Sequence, residues 1–95
     1  MPAMAVIPMS SGEYDVRIGE GARTKTMRVL VGARLLAALQ LGPDAGSRVV
    51  RAALETLDES DQLDDLGAFV PLERFGGEAE FVEGVRRHLD AGPQA

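Results

Sequence analysis

From Glu13 the chain alternates between polar and apolar residues: Tyr14, Val16 and Ile18 fall on one face, with Glu13, Asp15 and Arg17 on the other. A period of two is the mark of a half-buried strand, because successive side chains point to opposite faces. Gly19-Glu20-Gly21-Ala22 follows, with glycines able to take the positive φ angles of a hairpin loop. Alternation resumes at Thr24, with Met27, Val29 and Val31 inward and Thr26 and Arg28 outward. The spacing predicts an antiparallel β-hairpin over about 13–18 and 24–31. Leu30 breaks the outward polar pattern, an indication that the outer face is covered as well.

The period then lengthens to that of helices. Leu35, Leu36 and Leu39 stand among strong helix formers up to Gly42-Pro43, which predicts a helix over 33–41. A second helix is expected over 47–59, opened by Asp44 or Ser47 as N-cap, with Val49, Val50, Ala53, Leu54 and Leu57 as its apolar stripe. Arg51 and Glu55 sit one turn apart on its outer side. A third helix is expected over 78–89, with Phe81, Val82, Val85 and Leu89 buried, acids near its start and Arg86, Arg87 and His88 near its end, as the helix dipole favours. Gly84 is an interior helix glycine and costs about 1 kcal/mol relative to alanine.

Two segments lack a period. Residues 1–12 carry Pro2 and Pro8 and read as a flexible arm, with a short strand at Ala5-Val6-Ile7 as the other option. Phe69-Val70-Pro71-Leu72 reads as an apolar insertion or a short edge strand, where its proline is tolerated. Residues 92–95 read as a disordered tail, leaving 13–91 as a single α+β domain: a hairpin with three helices on one face. The expected core is Tyr14, Val16, Ile18, Met27, Val29, Val31, Leu35, Leu36, Leu39, Val50, Ala53, Leu54, Leu57, Phe81, Val85 and Leu89. Two strands make a marginal sheet, so a third is expected from the arm, from Phe69–Leu72 or from a second copy.

Composition narrows the chemistry. The 95 residues contain no cysteine, so disulfides, thiolate zinc sites and a cysteine nucleophile are excluded. No apolar run approaches the roughly 18 residues of a membrane span, and Met1 to Pro8 lacks the pattern of a signal peptide. A cytoplasmic protein without membrane contact is expected.

Few residues invite catalysis. His88, the only histidine, lies at a helix end between arginine and leucine with no ligand set, which suits a surface or capping role. An EF-hand loop opening at Asp58 would need glycine where Leu63 stands and an acid where Phe69 stands, and the register from Asp61 fails at Leu63. Gly19-Glu20-Gly21 lacks the Lys-Ser/Thr ending and following helix of a phosphate loop. Ser10, Ser11, Ser47 and Ser60 lack the surroundings of a nucleophile elbow. The expectation is a non-enzymatic protein with no catalytic residue, metal or cofactor.

Charge points to partners instead. The net charge is −5, but residues 1–51 carry +3 and residues 52–95 carry −8. Arg17, Arg23, Lys25, Thr26, Arg28 and Arg34 are candidate contacts for an anionic partner or nucleic acid. Asp58, Glu59, Asp61, Asp64 and Asp65 are candidate contacts for a basic partner.

The segment Thr24–Glu59 resembles a ribbon-helix-helix protein: a strand with outward Thr26 and Arg28, a short helix, a glycine turn, and a second helix opening at Gly46-Ser47-Arg48. The resemblance implies a dimer in which two such strands pair and place polar side chains in the DNA major groove, with phosphate at the second helix's N-terminus. The whole chain also resembles short bacterial α+β proteins of unknown function, with a strand like Thr26–Val31, a helix like Val49–Leu57 and an aromatic-containing end like Phe69 to Leu89; that likeness implies the fold alone. The main functional expectation is a protein-interaction or adaptor module whose open sheet edge meets a partner or a second copy. DNA binding is the alternative.

Overall fold

Among the described residues the β-sheet has four strands where the periodicity predicts two. The computed structural model describes residues 4–10, 12–19 and 24–91. In chain order these form strands β1 (Met4–Ser10), β2 (Glu13–Ile18) and β3 (Lys25–Leu30), helices α1 (Ala33–Ala38) and α2 (Gly46–Glu59), strand β4 (Phe69–Pro71) and helix α3 (Ala79–Ala91). Spatial order in the sheet follows chain order. β1, β2 and β3 run antiparallel as a meander, and β4 lies parallel to β3 through Arg28–Phe69, Val29–Val70 and Leu30–Pro71.

Both aperiodic segments are therefore strands. Residues Met4 to Ser10 of the expected arm pair with β2 instead of hanging loose, because Met4 and Val6 share a face with Val16 and Ile18 and pack against the core. The β1–β2 turn is closed by Gly12 at φ 75°, a left-handed conformation that glycine adopts without strain. Residues 1–3, the loop over 20–23 with Arg23, and the tail 92–95 lie outside the described residues.

The helices end by backbone geometry rather than at the glycine-proline stop. α1 closes at Ala38, short of the expected residue 41, because Gln40 turns left-handed at φ 60°. Leu41 N–H then donates to Leu36 O at 2.9 Å and Gln40 N–H to Ala37 O at 3.0 Å. This is a Schellman motif, and Leu36 and Leu41, which accompany it, both pack against the core. α2 ends the same way, with Asp61 at φ 59°, Gln62 N–H to Leu57 O at 2.9 Å and Asp61 N–H to Asp58 O at 3.1 Å.

α2 is the central element of the core. Its buried positions are Gly46, Val49, Val50, Ala52, Ala53, Leu54, Thr56 and Leu57, an arc of roughly 200° at 100° per residue. The expected stripe lacked Ala52 and Thr56. They are buried because α3 covers that flank, where Gly84 lets the two helices approach. Of the expected core only Leu36 and Leu89 are half-buried rather than buried. The core also takes in Leu63, Val70, Leu72 and Phe75 from the segment between α2 and α3. Phe75 stacks against Phe81 with ring centroids 5.3 Å apart, tying that segment to α3.

Candidate functional site: the uncovered sheet face

Strand register divides the sheet side chains into two sets. Tyr14, Val16, Ile18, Met27, Val29 and Val70 point into the core beneath the helices. The opposite set comprises Ala5 and Ile7 from β1, Glu13, Asp15 and Arg17 from β2, Thr26, Arg28 and Leu30 from β3, and Phe69 and Pro71 from β4. None of these is buried among the described residues.

An antiparallel sheet with one wet face normally alternates apolar inward with polar outward. Here Ile7 is 40% exposed and Phe69 55% exposed on the outward side, and Met9, at the β1 bulge, is 52% exposed. Register aligns one row across all four strands: Ile7, Asp15, Arg28, Phe69. Its centre is an ion pair, Arg28 Nε donating to Asp15 Oδ1 at 3.1 Å, with Glu13 Oε2 3.9 Å from Arg28 Nη1. The site is thus an apolar frame at the two outer strands around a charge-paired middle.

The edges of the sheet are less open than its face. β1 carries Pro8, which has no N–H to offer, and a bulge between Pro8 and Ser10, and its Met4 carbonyl accepts a bond from Arg51 Nη2 at 3.3 Å. β4 is three residues long and ends in Pro71. Short length, proline and a bulge are the devices that discourage edge-to-edge pairing.

Of the candidate anion contacts that are described, three share one face and two do not. Arg17, Thr26 and Arg28 share the uncovered face, and Arg28 is paired with Asp15 and lies near Glu13. Lys25 lies on the other side of β3, where its Nζ donates to Leu66 O at 2.7 Å and Leu63 O at 3.4 Å. The single lysine pins the acidic connector between α2 and β4, residues 60–68, at Leu63 and Leu66. Arg34 is exposed on α1, beside a shallow cavity of about 380 Å³ shared with Glu73 and Gly76.

β3 is an interior strand, with β2 on one side and β4 on the other along Arg28–Leu30. The strand pair across a dimer that the ribbon-helix-helix resemblance implies would need that edge.

Of the acidic candidates, Asp58 is half-buried and Glu59, Asp61 and Asp65 are exposed, while the Asp64 side chain lies outside the described ones. They form no common site. Glu59 faces α3 instead, its Oε1 3.1 Å from both Arg87 Nη2 and His88 Nε2. The His88 ring lowers the Glu59 carboxyl below its ordinary value, with Arg87 adding to the effect and partial burial opposing it. His88 Nε2 is buried and its distance to Glu59 is short, but it is not aligned as a hydrogen bond. Beside this cluster runs an open groove of about 340 Å³ lined by Glu59, Glu78, Glu80, Glu83 and Arg87.

Among the described residues no group of three acids or histidines is arranged to hold a metal ion, and no helix is long and apolar enough to cross a membrane. No protein-family model, no curated protein and no solved structure matches the chain.

Sequence reasoning passed over Ile7, Met9 and Phe69 because they lie in the two aperiodic segments. The one signal was Leu30, an apolar residue at an outward position, which marks this face as something more than a solvated surface.

Proposed function

We propose that this chain is a non-catalytic protein-interaction module that presents the uncovered face of its four-stranded sheet to another protein surface. The observation that carries the reading is the placement of Ile7 and Phe69, exposed, at the two ends of a row whose middle is charge-paired. Burying apolar area at about 25 cal/mol per Å² supplies affinity, and the central charges supply orientation. A nucleic-acid reading draws no comparable support, since counterion release needs clustered free cations and among the described residues the candidate cations are dispersed or paired.

Cross-linking in the chain's own cells tests this. A partner joined to the wild-type chain is expected to be lost with Ile7→Asp or Phe69→Asp and kept with Glu80→Gln in the acidic groove. Partners kept by both face variants would refute the reading.

A further inference from the structure

The row on the uncovered face is complementary to its own reverse. Ile7 on β1 and Phe69 on β4 stand at its ends, and Asp15 on β2 and Arg28 on β3 at its middle, all at one level along the strands. A two-fold axis lying parallel to the strands, between β2 and β3, turns a second copy face-on with its row reversed. Ile7 then meets the second copy's Phe69, and Asp15 meets the second copy's Arg28; by symmetry each contact occurs twice. The next level, Arg17 beside Thr26, also closes on itself with polar groups opposite polar groups. The face carries Glu13, Asp15, Arg17 and Arg28, two charges of each sign, so two copies do not repel.

We infer that the occupant of this face is a second copy of the same chain, giving an aligned β-sandwich between copies. The inference rests on the interaction reading above and names its partner. Aligned sheets pack with their strands about 30° apart. The Asp15–Arg28 contacts sit nearest the axis and are displaced least by that twist, whereas Ile7 and Phe69 have long side chains that tolerate the shift. At the level on the other side of the row, Leu30, half-buried in one chain, meets the second copy's Glu13, whose aliphatic stem lies over it while the carboxylate stays at the rim. The face measures about 19 Å across four strands and about 20 Å along them. That is small beside the roughly 800 Å² per partner of a standard interface, so the dimer dissociates on dilution.

Paired charge variants separate this contact from effects within one chain. Ile7 and Phe69 are three strand spacings apart, about 14 Å, too far to pair in one chain. Ile7→Lys and Phe69→Glu are made as separate full-length proteins and their masses followed by sedimentation equilibrium against concentration. Wild type is expected to move from 10.1 kDa toward twice that mass. Each variant alone is expected to dimerise at least tenfold more weakly, and an equal mixture to recover the dimer, since each new lysine then faces a new glutamate in the other copy. Circular dichroism of each variant checks that it folds.

A wild type that stays at monomer mass up to millimolar concentration overturns the inference, as does a dimer indifferent to both substitutions or a mixture that recovers nothing. If the wild type is monomeric yet a different protein is still captured through Ile7 and Phe69, the second copy is the wrong partner and the interaction reading survives. Loss of both removes the reading itself.

Discussion

Gly84 of α3 lies so close to Thr56 of α2 that a Cβ there would stand 2.5 Å from Thr56 Cγ2. By sequence alone the glycine is a defect in a helix. In the fold it is the contact that lets the Ala52–Thr56 flank of α2 meet α3, with the Thr56 hydroxyl satisfied by donating to Ala52 O at 2.8 Å.

Two effects compete in Gly84→Ala. Helix propensity favours alanine by about 1 kcal/mol, and overpacking a tight contact costs about 1–3 kcal/mol. The clash falls on a buried β-branched side chain with little freedom to move, so overpacking wins and the net loss is about 1–2 kcal/mol. Thermal unfolding should show a fall of several degrees, and adding Thr56→Ser, which removes Cγ2 but keeps the hydroxyl bond, should restore much of it. A melting temperature raised by Gly84→Ala would show the two helices to be further apart.

The left-handed residues at the helix ends offer stability. Gln40 sits at φ 60°, where a non-glycine residue is strained by about 1 kcal/mol or more. Gln40→Gly should raise the free energy of unfolding by about 0.5–1 kcal/mol, after allowing for the extra freedom glycine has in the unfolded chain. Asp61→Gly should gain less, since aspartate tolerates this region better than glutamine. Urea titration of the three proteins gives the ranking.

Much of the architecture follows from patterning, and the gaps have physical causes. The alternation at Tyr14–Ile18 and Met27–Val31 places β2 and β3, and the spacing from Val49 to Leu57 places α2. β1 and β4 escaped because a strand three to seven residues long with a proline shows little period, and their pairing is decided by neighbours distant in sequence. Leu63, Leu72 and Phe75 are buried from short 3-10 turns, which have no periodicity to read. The candidate site was legible in part: Arg17, Thr26 and Arg28 share one face by alternation. That Lys25 turns away to bind the connector, and that Ile7 and Phe69 flank the face, depends on tertiary pairing.

Lys25 gives a prediction that distinguishes a structural from a binding role. Lys25→Met removes the donor to Leu63 and Leu66 carbonyls and should cost about 1–2 kcal/mol, as hydrogen bonds from charged groups do. The loss should be local first. Hydrogen exchange should quicken at the Asp65 and Leu66 amides, which bond to Gln62 and Leu63 carbonyls, while α2 keeps its protection. Unchanged exchange there would contradict the part given to Lys25 in holding these two carbonyls.

Glu59 sets a pH dependence. Its carboxyl is lowered from 4.5 in the folded chain, so the unfolded state binds its proton more tightly. The stability this adds is complete above that ordinary value and is lost as pH falls through the lower folded one. The effect is small because the Glu59 carboxylate is exposed to solvent. Glu59→Gln should flatten the acid limb of stability below pH 4.5 and leave neutral-pH association through the sheet face unchanged. An equally steep acid limb in the variant would place the dependence on another carboxyl.

Amide spectra of the isotope-labelled chain, recorded from tens of micromolar to about 1 mM, test the use of the uncovered face most directly, because they report which residues change as copies meet. Concentration-dependent shifts are expected at Ala5, Ile7, Asp15, Arg17, Thr26, Arg28 and Phe69, with α2 and α3 unmoved. Shifts centred on the groove between α2 and α3, or none at any concentration, would contradict the uncovered face as the surface where copies meet.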